Sequence, residues 1–263
     1  MDGHRTGPPR GTGEQDPAYR RAHQHPSTTP PTVVVVTTIV RWAKVDALDP
    51  DLVPEWLTPA ERGRHRSLRQ AVDRRQFVGA RQLLRDTVVE LRGGAADDVE
   101  LHQQCDRCGG PHGRPTIRIA GRPGPHVSTT HAGGLVAVAI ASNPVGVDLE
   151  PVGEAGVTNA GDTATDTGDL VTWVRTEAVL KATGHGLDVD PRLVGISGPD
   201  AAPRLETWHG PGRRPAVTLT DLDLGGGFVG CVARLGRGRA GVDGAERTLV
   251  FLRSPSSTSE PAR

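Results

Sequence analysis

Leu135-Val-Ala-Val-Ala-Ile-Ala141, followed by Ser142-Asn-Pro144 and then Val145-Gly-Val-Asp-Leu-Glu150, is the stretch on which the fold turns. Seven consecutive apolar residues bounded by a turn signal read as a buried strand. Serine, asparagine and proline in succession favour a turn. The second run then reads as the returning strand of a hairpin. Side chains alternate along a strand, so Asp148 and Glu150 are expected on one face.

Upstream, Phe77, Ala80, Leu84, Val88 and Leu91 recur at three- and four-residue spacing. That predicts a helix over about 71–92 with these residues on its buried side, stopped by Gly93-Gly94. Thr58 is expected to cap a preceding helix, with Pro59 at its first position and Glu61 at its third. Val33–Val36 with Ile39 and Val40 predicts the first buried strand. Downstream, a helix is expected over about 169–183, ending at Gly184, and then a β-rich part from Ala216 to Leu235. Gly225-Gly-Gly227 lacks the following Lys-Ser/Thr of a nucleotide loop and reads as a bend between strands. Residues 105–126 and 151–168 are rich in turn formers and read as loops. Residues 1–31 are expected to be disordered, and 237–263 a flexible tail in which Leu249–Leu252 suits a short strand. The folded part, 32–236, holds two successive groups of strands, each with a long helix. This predicts an α+β fold of two similar lobes, 32–130 and 131–236.

The 263 residues carry 31 basic and 31 acidic side chains, so the net charge is zero and no basic field favours nucleic acid. Only Lys44 and Lys181 are lysines, which marks Lys181 as a position where arginine was not used. No apolar run reaches the roughly 18 residues of a membrane-spanning helix. Three cysteines, an odd number, with no secretory signal point to a reduced compartment, and a cytoplasmic protein is expected.

Several residues suit chemistry. Asp148 and Glu150 repel each other unless a cation stands between them, and hard oxygen ligands suit magnesium; the bland alternative is a solvated strand face. Glu177 and Lys181 are four apart on the later helix and share a side. They read either as a surface ion pair or as a third carboxylate joining Asp148 and Glu150, with Lys181 on a phosphate oxygen. His126-Val-Ser-Thr-Thr-His-Ala-Gly-Gly134 suits close approach to a phosphate, or else a turn capping its own backbone. Arg62, Arg64, Arg75 and Arg114 are candidate phosphate clamps or plain solvated arginines. Cys105, Cys108 and His112 have zinc-like spacing, with His102 as a possible fourth ligand.

Taken together these pieces resemble the 4′-phosphopantetheinyl transferases of the surfactin-synthetase-activating type. The segments stand in that family's order. Arg74-Arg-Gln-Phe-Val-Gly-Ala-Arg-Gln-Leu-Leu-Arg85 is followed by Gly113-Arg-Pro115 and Ser128-Thr-Thr-His-Ala-Gly133. Then come Val145-Gly-Val-Asp-Leu-Glu150 and Trp173-Val-Arg-Thr-Glu-Ala-Val-Leu-Lys-Ala-Thr-Gly184. The resemblance covers about 32–236. It implies a monomeric pseudo-dimer with coenzyme A between its lobes, moving the phosphopantetheine arm onto a serine of an apo carrier protein with the help of magnesium. Nucleic acid and membrane play no part in that activity. By motif match, Asp148 and Glu177 look like the principal magnesium ligands, with Glu150 joining directly or through water. Glu177 also looks like the base, or the anchor of the base, for the carrier serine, and Lys181 like a contact to the pyrophosphate or the leaving phosphate. Thr130 and His131 resemble the pair that binds the coenzyme A phosphates, and Arg62, Arg75 and Arg114 fall where the family places basic contacts to the adenosine phosphates. Thr176 stands where the family usually has lysine, with Arg175 beside it, and the segment from 151 to 172 is short and polar. Two rivals are a non-catalytic module that binds coenzyme A or a carrier, and a zinc-dependent nucleic-acid binder built on Cys105, Cys108 and the arginine helices.

Overall fold

A run that is apolar at every position has to be buried on both of its faces, and this decides the architecture. The computed structural model describes residues 38–105, 108–110, 113–153, 167–236 and 241–247. All of them fall in one compact unit, Val35–Arg263. In strand β6 (Leu135–Ala141), Val136, Val138 and Ile140 face one core, and Leu135, Ala137, Ala139 and Ala141 face another. β6 lies in a four-stranded sheet with β1 (Thr38–Lys44), β5 (His126–Ala132) and β12 (Val242–Glu246), in the order β12-β1-β6-β5.

The first core lies between this sheet and helix α2 (Ala71–Arg92), which contributes Ala80, Leu83, Leu84 and Val88. Leu83 and Leu84 are wholly buried, and burial of a leucine contributes about 1.5–3 kcal/mol. The second core lies between the four-stranded sheet and a three-stranded one, β10-β11-β7, built from β7 (Val145–Pro151), β10 (Val217–Asp221) and β11 (Phe228–Leu235). The third core lies beyond the three-stranded sheet, under helix α3 (Thr167–Thr183). The layers are therefore helix, sheet, sheet, helix, a mixed α+β arrangement.

Small elements complete it. Helix α1 (Pro59–Ser67) starts with the expected reciprocal cap: Glu61 N donates to Thr58 Oγ1, and Thr58 N donates to Glu61 Oε2. β2 (Val99–Gln103), β3 (Pro115–Ile119) and β4 (Arg122–Pro123) form a small sheet, and β8 (Val194–Ile196) pairs with β9 (Leu205–Trp208). No helix among the described residues is long and apolar enough to cross a membrane.

Several expectations need correction. Residues 135–150 are not a hairpin, because β6 and β7 belong to different sheets. Pro144 has no N–H to begin a ladder back to β6. Its carbonyl instead accepts from Leu235 N at 2.8 Å, and Asn143 Nδ2 donates to Leu235 O at 3.0 Å, so the turn is tied to β11. The hairpin is β5–β6. Its two-residue turn, Gly133-Gly134, has φ of +53° and +79°, the pair of positive angles such a turn requires. The stretch expected just before a strand, His126 to Ala132, is thus itself a strand, and β3 and β4 lie within the expected loop 105–126. The four-stranded sheet runs on to Ala141, past a division at 130/131, which falls inside β5. Residues 242–246 pair in parallel with β1 where a tail was expected. Arg41, buried in β1, holds them through Asp243, and Arg247 N donates to Trp42 O at 2.7 Å. Leu91 is exposed, and Leu83 takes its place in the core. Val33–Val36, His112, Leu249–Leu252 and most of 151–168 lie outside the described residues.

Candidate active site

Alternation along β7 sends Val145, Val147 and Leu149 into the core between the sheets, and so turns Gly146, Asp148 and Glu150 toward α3. A Cβ on Gly146 would lie 2.1 Å from Ala178 O and 2.8 Å from Lys181 Cβ, so only glycine lets the helix come this close. Glycine in a strand interior often marks such an approach. Spacing of four along α3 puts Glu177 and Lys181 on that same side.

Lys181 Nζ donates to Asp148 Oδ1 at 2.6 Å and to Val147 O at 3.2 Å. Thr130 Oγ1, reaching across from β5, donates to the same Oδ1 at 2.9 Å. Ser128, two residues earlier on β5, accepts from Val147 N at 3.1 Å and fixes β5 over β7. Asp148 and Glu177 are buried. Asp148 Oδ2 and Glu177 Oε1 have no hydrogen-bond partner among the described residues. Burial pushes the Glu177 carboxyl above the usual range, Lys181 opposing and Asp148 adding to the rise. Glu150, half-buried, is lifted to about 7, first by burial and then by the Asp148 carboxylate. Unpartnered carboxylate oxygens crowded round one ammonium form an arrangement that lacks positive charge.

His131 is the neighbour of Thr130 on β5 and points to the other face. The residue is exposed to solvent. Desolvation holds its pKa below the usual imidazole value, and the charge of Lys181 adds to this while Asp73 opposes it. Arg81 on α2 also bears on His131, and exposed Arg64 bears on Arg81 in turn. Four basic side chains, Arg64, Arg81, His131 and Lys181, thus succeed one another across the two halves.

The expected arginines divide. Arg114 Nη2 donates to Ala182 O at 3.3 Å, against Gly184, so it stands at the C-terminal end of α3 one turn from Lys181. Arg62 is spent on the carbonyls of Glu55 and Leu57, and Arg75 Nε donates to Leu48 O at 2.8 Å. Neither joins the acidic group. Arg175 does not replace the missing lysine, because it is buried on the far side and paired with Asp221 at 2.6 Å and with the carbonyls of Ser197, Gly198, Pro199 and Ala201. Thr176 donates to Thr172 O at 2.9 Å within its own helix.

Among the described residues no group of three or more His, Cys, Asp and Glu side chains could hold a metal ion. Gly110 N donates to Cys108 Sγ at 3.4 Å, and His112, which completes the zinc-like spacing with Cys105 and Cys108, lies outside the described residues. For the acidic group, the fit to magnesium rests instead on the two buried, unpartnered oxygens of Asp148 and Glu177. Magnesium commonly takes one or two carboxylates and fills its remaining positions with water and substrate phosphate.

The roles of Ser128, Gly146, Arg81 and Asp73 escaped the sequence reading. Only Gly146 carried a local signal, a glycine inside an apolar strand. The chain matches no family model and no curated protein sequence.

Proposed function

We propose that this protein is a magnesium-dependent 4′-phosphopantetheinyl transferase, taking coenzyme A and the serine of an apo carrier protein. One observation carries the reading. Thr130 from β5, Asp148 and Glu150 from β7, and Glu177 and Lys181 from α3 come from segments up to 51 residues apart and meet at one seam, leaving two buried carboxylate oxygens open. On this reading the two sheet-and-helix halves correspond to the family's two lobes, with coenzyme A at the β5–β7 seam.

Asp148 and Glu177 would hold the magnesium ion, with Glu150 beside them directly or through water. When bound, the ion neutralises charge on the pyrophosphate and on the departing phosphate. His131 would offer an imidazole N–H to the nucleotide phosphates, with exposed Arg64 beyond it, and Lys181 would turn from Asp148 to a pyrophosphate oxygen. The carrier serine Oγ attacks the phosphorus that bears the pantetheine arm. The bond from that phosphorus to the bridging oxygen breaks, and adenosine 3′,5′-bisphosphate leaves. Glu177, directly or through a water it holds, would take the serine proton.

The test is to incubate the protein with coenzyme A, magnesium and an apo carrier domain and to weigh the carrier. A gain equal to the pantetheine arm is expected. Retained binding of coenzyme A without any gain would leave the non-catalytic module in its place.

A further inference from the structure

We propose that Thr130 is a positioning residue for a divalent cation at Asp148, and that Lys181 is the cation Asp148 keeps until that ion arrives. The inference rests on the divalent-ion site put forward above, and it gives Thr130 a different task from phosphate binding. A threonine hydroxyl has one proton to donate. Here that proton goes to Asp148 Oδ1 at 2.9 Å, inside the protein, and is not available to a phosphate oxygen. The same Oδ1 takes Lys181 Nζ at 2.6 Å. With both donors on one oxygen, the carboxylate cannot rotate freely, and Oδ2 is fixed as the open, buried one.

The three groups differ in freedom. The Asp148 side chain is 7% exposed and that of Lys181 is 28% exposed, so the ammonium can withdraw toward solvent while the carboxylate stays. Thr130 is held in β5 by the ladder to β6 and by the bond from Val147 N to Ser128. A divalent ion arriving at Oδ2 meets the charge of Lys181 as a competitor. Once the ion is bound, Lys181 is released to an anionic oxygen, while Thr130 continues to orient the ligand. A hydrogen bond of this kind to a ligating carboxylate typically accounts for about ten- to a hundred-fold in metal affinity.

The experiment uses the full chain without coenzyme A at pH 8, with Mn2+ as the probe and free Mn2+ counted by electron paramagnetic resonance. Thr130→Val is expected to weaken Mn2+ binding about ten- to a hundred-fold, and Thr130→Ser to restore it within about threefold. Lys181→Met is expected to tighten it about tenfold, because a competing charge is gone. Equal affinity in wild type and Thr130→Val overturns the inference, as does weaker binding in Lys181→Met or no Mn2+ binding by wild type. If Thr130→Val does not fold, Thr130→Cys, a similar side chain with a weak donor, takes its place with the same expectation. A protein that behaves as expected here yet modifies no carrier keeps this inference and loses the proposed function, and the converse result separates them in the other direction.

Discussion

Two buried charge clusters lie in the two halves of this molecule, and they are built on opposite plans. Under α1 and α2, the single carboxylate of Glu61 meets two guanidiniums, Arg85 and Arg81, each at 3.2 Å. Its other contacts are also taken: Glu61 Oε2 accepts from Thr58 N, Arg81 stacks 3.6 Å over Phe77, and Arg85 lies 4.6 Å over Trp56. Under α3, three carboxylates share one ammonium, and two of their oxygens are buried with nothing donated to them among the described residues. A buried charge left unpaired is costly. The first cluster largely avoids that cost through its own residues, although Arg81 Nε, 3.2 Å from Glu61 Oε1, makes no hydrogen bond there. In the second, burial and mutual repulsion raise the pKa of Glu150 and of Glu177, which favours the uncharged form of each. On the proposed reading, the closed cluster serves the fold and the open one a ligand.

The two clusters should therefore break differently. Asp148→Ala and Glu177→Ala are each expected to lower kcat/KM for carrier modification by about a thousandfold or more, the scale for losing a principal electrostatic element, with the circular dichroism spectrum unchanged. Glu61→Ala should do the reverse. It removes one partner of a buried ion pair, so urea denaturation should show a loss of about 3 kcal/mol or more, with the rate per folded molecule kept. Full transfer by Asp148→Ala, or a catalytic defect in Glu61→Ala without a stability loss, would erase the distinction. Gly146→Ala tests how the open cluster is assembled. The added methyl would overlap Ala178 O and force α3 off β7, at a cost of about 1–3 kcal/mol in urea and with a fall in transfer rate.

The smallest effect sharpens the comparison through pH. Glu150 titrates near 7 in the folded protein against an ordinary carboxyl value of 4.5. Between these values the folded state holds a proton that the unfolded state has released. Stability should therefore fall as pH rises from about 4.5 to about 7 and level off above that. Glu150→Gln should flatten this part of the profile, measured as melting temperature against pH without divalent ions. An identical slope in the variant would show that Glu150 is not the group responsible.

How much of this was legible in the sequence depended on whether a signal was local. The start of α1 could be read because Thr58, Pro59 and Glu61 act on backbone within one turn, and the ends of α2 and α3 because Gly93 and Gly184 adopt positive φ. The pairing of Asp148 with Glu150 on one face, and of Glu177 with Lys181, followed from period alone. The exchange of sheets after Ala141 was not legible. A strand buried on both faces shows no alternation, and the contacts that draw Asn143 and Pro144 to Leu235 span about ninety residues. β12, with Asp243, Gly244 and Glu246 in five residues, has no apolar pattern and is held largely by pairing with β1. At the site, residue type suggested that Thr130 and Arg62 meet phosphate. The hydrogen bonds assign them instead to Asp148 and to the carbonyls of Glu55 and Leu57.

On the proposed reading, the unpartnered carboxylates under α3 hold a divalent ion on which transfer depends. Release of adenosine 3′,5′-bisphosphate from coenzyme A, in the presence of an apo carrier and increasing magnesium, measures that dependence directly. Release should saturate with magnesium, stop on chelation, and be absent in Asp148→Ala. Release that persists under chelation or in Asp148→Ala, or no release by the wild-type protein at any magnesium concentration, would contradict it.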